Sequence, residues 1–268
     1  MYFSDLETID TVKQDRLLRV TLNRPEVLNA VDARMHRELS EIFDRINRDT
    51  SIDVVILSGA GRAFSAGGDT RWMKDLIHTP LEWQRKAVES RRLWLSLLDL
   101  EKPLICRLNG VARGMCATIV ALCDIVIAAD TATLADTHTN VALAAADGAN
   151  VIWPLIVGFH RAKDLLLTGR ALSAHEALEL GLINQVVPAA ELDAAVDAYA
   201  ERLLEGPVRA LQWTKMGVNF QMKQIVWPAL ENALNLLEMS NFHPDHDEAV
   251  NAFNEKRRAN YRKRRGET

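Results

Sequence analysis

The chain has 268 residues, 48% hydrophobic, 25% charged and 6% aromatic, the proportions of an ordinary globular protein, which exclude a disordered, collagenous or disulfide-framework chain. Its 32 basic and 36 acidic side chains leave a formal net charge of -4, so no overall positive field exists to hold a polyanion, and no nucleic acid partner is expected. The three cysteines, Cys106, Cys116 and Cys123, sit in apolar segments without paired spacing, as in a cytoplasmic protein. No apolar run reaches the roughly 20 residues of a membrane helix, and the first residues lack the basic flank and apolar run of a secretory signal, so no membrane association is expected.

Residues 6–12 and 16–22 read as two short strands around the polar turn Lys13-Gln14-Asp15, a hairpin broken at Asn23-Arg24-Pro25. From Asp32, an N-cap, the residues Met35, Leu39, Ile42, Phe43 and Ile46 fall on one helical face. Residues 53–58 are continuously apolar and rich in β-branched side chains, the pattern of a strand covered on both faces, and a glycine-containing loop follows. A helix is predicted over 81–100, buried strands over 104–108 and 125–129, and between them a small, apolar helix over 114–122 whose N-terminal amides face the sheet edge. Ser173-Ala174-His175-Glu176 is a capping box that opens a short helix ending at Gly181, and residues 185–187 give the last strand. Beyond Pro188 only helices are expected, over 190–204, 207–217, 224–240 and 245–261. The chain thus divides into an α/β core, 1–188, and a helical region, 189–268.

Three segments occur in a telling order: Asn23-Arg24-Pro25-Glu26-Val27-Leu28-Asn29-Ala30, then Gly61-Arg62-Ala63-Phe64-Ser65-Ala66-Gly67-Gly68-Asp69, then Asn109-Gly110 followed by Cys123-Asp124-Ile125. Together with Leu167-Thr168-Gly169, Gly181-Leu182-Ile183-Asn184 and Ala252-Phe253-Asn254-Glu255-Lys256-Arg257, they resemble the crotonase superfamily, the enoyl-CoA hydratase/isomerase family, over nearly the whole chain. The resemblance implies an α/β spiral of ββα units and a C-terminal helical region for trimerisation and CoA closure. It also implies a homotrimer or homohexamer, and an acyl-CoA substrate with no separate cofactor.

The chemistry that the resemblance implies is stabilisation of a thioester enolate by two prealigned backbone amides, an oxyanion hole. It places those donors at Ala66 and at Met115, where the family usually has glycine, and the acyl-CoA contacts at Val27, Leu28, Ala66, Gly67, Gly68, Asp69 and Lys256. The two hydratase glutamates are missing: ungapped counting puts Thr118 at the first and His138 at the second. A neutral hydroxyl cannot act as a general base near neutral pH, so the paired-carboxylate route to hydration is not available.

Asp136-Thr137-His138, followed by Asp147-Gly148, instead resembles the branch of the superfamily that hydrolyses C–C bonds of β-diketones, such as oxocamphor hydrolase. His138 and Asp147 are accordingly the candidate acid/base pair, because imidazole titrates near neutrality and a hydrogen-bonded carboxylate would fix its tautomer and raise its basicity. Asp147 equally suits the N-cap of a following helix, and His138 a hydrogen-bonded core position. Three functions remain open: an enoyl-CoA hydratase/isomerase-type enzyme using His138 and Asp147, a hydrolase cleaving a β-dicarbonyl, and a non-catalytic acyl-CoA binding protein.

Other features carry less. His243-Pro244-Asp245-His246-Asp247 has metal-donor atoms, but Pro244 breaks the helix that would align them, and no metal site is expected. The basic stretch 256–265 suits a helix C-terminus or, by the resemblance, the adenine and phosphates of CoA. Trp72, Trp83 and Trp94 recur at even spacing as core or pocket wall, and Glu82, Glu89 and Glu231 are further candidate carboxylates.

Overall fold

In the computed structural model, which describes residues 3–261, the opening hairpin forms from β1 (Ile9–Gln14) and β2 (Leu17–Leu22), with Asp15 of the turn at φ 50°. Asp32 caps α1 (Ala33–Arg48) by accepting from the Met35 amide at 2.9 Å. The stripe Met35, Leu39, Ile42, Phe43 and Ile46 is fully buried, each side chain contributing about 1.5–3 kcal/mol of gross hydrophobic stabilisation. The next strand, β3 (Val54–Gly59), is buried at every residue and pairs in parallel with β2, as a continuous β-branched run requires.

The chain continues through α2 (Thr70–His78), α3 (Pro80–Asp99), β4 (Leu104–Leu108), β5 (Val111–Arg113), α4 (Met115–Leu122), β6 (Ile125–Ala129) and β7 (Thr133–Ala135). Then come α5 (Ala149–Val157), α6 (Phe159–Thr168), β8 (Leu172–Ser173), α7 (Ala174–Glu179), β9 (Gln185–Val187), α8 (Leu192–Leu204), α9 (Val208–Asn241) and α10 (Pro244–Asn254). A six-stranded sheet has the order β1-β2-β3-β4-β6-β9, parallel except for the β1–β2 hairpin, and a small second sheet has the order β5-β7-β8.

The link between the two sheets positions the site. From β4 and from β6 the chain crosses at once into the small sheet, and the loop after β3 does the same, because Ser65 bridges in parallel to Ala112 of β5. Three crossings therefore stack: the Arg113 amide donates to the Ser65 carbonyl at 3.1 Å, and the Gly114 amide to the Ala135 carbonyl at 3.0 Å.

The loop after β3 is clamped from inside by two asparagines. Asn29 Nδ2 lies 2.9, 3.0 and 3.1 Å from the carbonyl oxygens of Ala60, Ala63 and Phe64, and Asn109 Nδ2 2.9, 2.9 and 3.1 Å from those of Gly59, Gly61 and Ala63. A Cβ at Gly59 or Gly110 would stand 2.3 or 2.1 Å from carbonyl oxygens of this loop, so both close approaches demand glycine.

The C-terminal part departs from the sequence expectation in two places. Residues 207–217 and 224–240 are not separate helices but one, α9, which runs through Gly217 and Pro228. A buried stripe of Val226, Leu230, Ala233, Leu234 and Leu237, packed against α3 and α5, outweighs the roughly 1 kcal/mol cost of the glycine and the larger cost of the proline. The last predicted helix, 245–261, stops early: α10 ends at Asn254, and Lys256 turns into the left-handed region at φ 54°. Small elements, α2, α6, β5, β7 and β8, were not anticipated. Among the described residues no helix is long and apolar enough to cross a membrane.

Replacing Asn29 with alanine removes the clamp from buried carbonyls and places alanine at φ 56°. Urea unfolding of Asn29→Ala should show a loss of about 2–4 kcal/mol; a loss below about 0.5 kcal/mol would remove the clamp from the account.

Candidate active site

Where the three crossings meet, a cavity of ≈ 320 Å³ opens between the small sheet and helices α2, α3, α9 and α10. Its apolar wall includes Trp72, Met73, Trp83, Leu143 and Leu237, and its polar side His36, Lys86, His138, Asp147 and His246. Ala66, Gly68, Gly114 and Met115 line the same space.

Hydrogen bonding decides which amides are available there. The Ala66 N–H donates to the Leu28 carbonyl at 2.9 Å, so the expected first donor is already engaged. Gly67 donates to Ser65 Oγ at 3.2 Å and Asp69 to the Val31 carbonyl at 2.8 Å, so that of residues 66–69 it is Gly68 whose amide has no acceptor among the described residues. The parallel bridge between Val31 and Gly68 fits this, since it takes the Gly67 carbonyl for the Val31 amide and the Asp69 amide for the Val31 carbonyl, and leaves the Gly68 amide on the opposite edge. At the second crossing Met115 is the first residue of α4, and its amide is one of the unpaired donors that every helix start leaves. Gly114 before it adopts φ 54° and ψ -130°, a conformation that favours glycine.

The imidazole of His138 rests against this second crossing: a Cβ built on Gly114 would lie 3.6 Å from its Cε1. Its partner is not Asp147, as the sequence reading proposed, but Asp136, whose carboxylate oxygens lie 2.9 and 3.0 Å from Nδ1. Asp136 also accepts from the His138 backbone amide at 3.1 Å, the local turn by which aspartate bonds to the backbone two residues on. A carboxylate on Nδ1 fixes the proton there and leaves the Nε2 lone pair for the cavity. Burial pushes the imidazole down, but the charge and hydrogen bond of Asp136, with the charge of Asp147, outweigh it and hold His138 above its ordinary range.

Asp147 pairs with Lys86, Nζ to Oδ2 at 3.1 Å, both side chains being almost fully buried. Burial pushes the Asp147 carboxyl up, yet the nearby charges of Lys86, His138 and His36 and the Lys86 hydrogen bond hold it below the usual aspartate value. Its other oxygen, Oδ1, has no hydrogen-bond partner among the described residues. Nor does Asp147 cap a helix: the N-cap of α5 is Gly148, at φ 86°. Behind this pair His36 is fully buried, with Nδ1 2.6 Å from Glu89 and Nε2 3.1 Å from Ser90 Oγ.

Thr118 does not reach the cavity lining. Its Oγ1 accepts from Trp153 Nε1 at 3.2 Å, and a Cβ on Gly148 would sit 3.3 Å from its methyl group, so the position is sealed in the core. Val27, Leu28, Gly67, Asp69 and Lys256 also lie outside the lining. Leu28 serves as acceptor for Ala66, Asp69 caps α2 through the Arg71 amide at 2.9 Å, and at Gly67, φ 89°, an added Cβ would lie 3.2 Å from the Arg113 carbonyl oxygen. Lys256 is exposed just beyond α10, whose Phe253 does reach the cavity. Part of the basic stretch, 262–265, falls outside the described residues.

The remaining candidates separate. Glu89 pairs with His36 and Arg37, Glu231 with Arg91 and Glu82 with Arg85, and none of the three lines the cavity. Trp72 and Trp83 are cavity wall and Trp94 is core. His243 caps α10 while His246 turns inward, its Nδ1 2.6 Å from the Val141 carbonyl. Asp136 and Lys86 were missed, and Gly68, expected among the acyl-CoA contacts, does line the cavity but was not expected as the free amide. The spacing of Asp136 and His138 carried a signal for the first, whereas nothing in the local sequence marks Lys86 as buried.

Residues 12–264 match the family described as enoyl-CoA hydratase/isomerase. A 1,2-epoxyphenylacetyl-CoA isomerase of Escherichia coli is 34% identical over 243 residues, 90% of this chain and 93% of that protein. Among solved structures, an enoyl-CoA hydratase/isomerase from Mycobacterium paratuberculosis superposes with a TM-score of 0.89 at 36% identity, covering 92% of this chain and 99% of the other. A β-diketone hydrolase from the cyanobacterium Anabaena, bound to (S)-3-oxocyclohexyl acetic acid, superposes with a TM-score of 0.84 at 28% identity over 90% and 96%. With its three crossings, its amide-lined cavity and a match that spans nearly all its length, this chain belongs to the enoyl-CoA hydratase/isomerase family.

Proposed function

We propose that the protein is an acyl-CoA-processing enzyme that holds a thioester enolate between the amides of Gly68 and Met115 and moves protons on Nε2 of His138. The observation that carries this reading is the placement of an imidazole, oriented by Asp136 through Nδ1, beside a helix start whose Met115 amide is unengaged. Two dipoles fixed before reaction stabilise negative charge as it develops on the thioester oxygen, without reorganisation. His138 then acts first as base and afterwards as acid: it takes a proton from water, whose hydroxide adds to the β carbon of an enoyl thioester, and returns it to the α carbon of the enolate, or it takes a proton from the α carbon of a β,γ-unsaturated thioester and returns it to the γ carbon of the dienolate. Asp147, held by Lys86, places a buried negative charge near His138 rather than a direct hydrogen bond to it.

A second reading has a specific support. The likeness to the β-diketone hydrolase, together with Thr118 sealed in the core and an imidazole at the cavity, suits cleavage of a β-dicarbonyl compound. There His138 would take a proton from water, the hydroxide would add to one carbonyl carbon, and the C–C bond would break. The electron pair would pass into an enolate at the two amides, which His138 then protonates. The outward face of α9, exposing Trp213, Phe220 and Trp227, supports assembly as a homotrimer or homohexamer.

Proline is tolerated at the first position of a helix, so Met115→Pro deletes one amide with little cost to α4. With crotonyl-CoA, a β-ketoacyl-CoA and a cyclic β-diketone assayed by mass spectrometry, Met115→Pro should lower kcat about 10²–10³-fold on whichever substrate turns over. Met115→Ala, which keeps the amide, should stay within a few-fold of the parent. Equal rates for the two variants would refute the oxyanion role. Saturable acyl-CoA binding with no turnover of any substrate would make the protein a binding protein.

If His138 works as the base, kcat/KM rises with pH as the imidazole loses its proton. Because His138 is held high, that rise falls above the ordinary histidine value of about 6.5. Asp136→Asn removes the charge that raises it, so the rise should move to lower pH and the plateau should drop by about 10²–10⁴-fold. A profile unmoved by Asp136→Asn would show that another group takes the proton.

A further inference from the structure

Two amides stabilise one oxyanion only when both are held in place around it, each about 2.7–3.1 Å from the oxygen. At the first crossing the donor belongs to Gly68, which follows Gly67 at φ 89°, so successive glycines leave this backbone little stiffness of its own. Its aim has to come from neighbouring groups. Because the peptide unit is planar and trans, the Gly68 N–H points opposite to the Gly67 carbonyl, and that carbonyl accepts from the Val31 amide at 2.8 Å. This bond holds one end of Gly67. The other end, its N–H, is held at 3.2 Å by the hydroxyl of Ser65.

Ser65 is fully buried, and its hydroxyl is used twice: Oγ accepts from the Gly67 amide and donates to the Asn29 carbonyl at 2.7 Å. The other bonds that join residues 28–31 to 65–69 run between backbone groups, so this hydroxyl is the link that a substitution can remove.

The backbone of the same residue reaches the second crossing. Its N–H donates to the Val111 carbonyl at 3.0 Å, and its carbonyl accepts from Arg113, two residues before Met115, at 3.1 Å. Ser65 also acts on the thiol of Cys116, the residue after Met115: burial pushes that thiol up to about 12, and the Ser65 hydrogen bond opposes the rise. Ser65 itself does not line the cavity, so any action on a ligand passes through its neighbours. We infer that Ser65 is a positioning residue: by bridging Asn29 and Gly67, its hydroxyl aims the Gly68 amide at the oxygen that the Met115 amide also binds. The inference rests on the oxyanion reading above and names the side chain that sets its geometry.

The test reads the polarisation of a bound thioester. Butyryl-CoA, which has no double bond to hydrate or shift, is labelled with ¹³C at its thioester carbonyl and bound to the unaltered protein, to Ser65→Ala and to Ser40→Ala. The carbonyl stretch is followed by infrared difference spectroscopy. Ser40 is an equally buried control whose Oγ donates to the Arg37 carbonyl at 2.7 Å on α1, outside the cavity lining. Aligned amides lower the stretch on binding, and Ser65→Ala should lose about half of that lowering or more, with affinity for butyryl-CoA within a few-fold of the parent. On whichever acyl-CoA turns over, kcat should fall about 10–100-fold with KM little changed, because a misaimed donor fails mainly in the transition state. Ser40→Ala should match the parent in every readout. A parent-like stretch in Ser65→Ala, or an equal loss in Ser40→Ala, would overturn the inference and leave the oxyanion reading intact. Should the alanine variant not fold, Ser65→Cys decides in its place: a stretch between the parent's and that of free butyryl-CoA is expected, and a parent-like one refutes the role. No lowering with butyryl-CoA bound to the unaltered protein, or no binding at all, would overturn the oxyanion reading and this inference together.

Discussion

The site depends on the close stacking of three chain crossings, and the stacking depends on satisfying the carbonyls of one tight loop. Between Gly59 and Phe64 the backbone turns so sharply that its oxygens converge on two side-chain amides, and those of Ala63 and Phe64 belong to buried residues. Asn29 and Asn109 supply the donors from two directions. Once that loop is fixed, parallel bridges at Ser65 and Gly68 set the direction of each following amide. The carbonyls of Leu28 and Val31 then do the selecting: they take the Ala66 and Asp69 amides, and the Gly68 amide stays unengaged among the described residues. Neither free amide needs a particular side chain, which is why methionine can stand at the second one.

Charge is arranged with the same economy. Two carboxylates, Asp136 and Asp147, are buried beside the cavity, and each has a cationic or imidazole partner within hydrogen-bond distance. An isolated buried carboxylate would be expelled or protonated, so these pairings let both charges stay buried beside the cavity. The pairings also divide the labour. Asp136 acts on His138 at the Nδ1 side and makes it more basic, whereas Lys86 keeps Asp147 ionised with one oxygen uncommitted. In a family that commonly uses a pair of glutamates, this chain carries an imidazole and a lysine-held carboxylate around the same kind of amide-lined space.

Much of the fold was legible because its signals are local. The α1 stripe, the Asp32 cap, the β4 and β6 runs and the Ser173 capping box each follow from spacing within a few residues, and the structure has them where the sequence put them. The continuous α9 was not legible, since only packing against α3 and α5 outweighs Gly217 and Pro228. The site divides the same way. Met115 and His138 could be counted from motifs, but the free loop amide is Gly68 and not Ala66, a distinction made by the Leu28 carbonyl, which takes the Ala66 amide from far away in sequence. Asp147 was found as a cavity carboxylate and misassigned as the partner of His138, because Lys86 is brought to it by the packing of α3, which no local pattern reveals.

The central claim is that the Gly68 and Met115 amides bind the thioester oxygen. The most direct measurement is amide NMR of protein labelled with ¹⁵N in glycine, alanine and methionine, titrated with an unreactive acyl-CoA. The account predicts downfield amide proton shifts at Gly68 and Met115 that saturate together, with Ala66 unmoved because it remains bonded to the Leu28 carbonyl. A shift at Ala66 with Gly68 silent, or saturation with neither crossing affected, would contradict it.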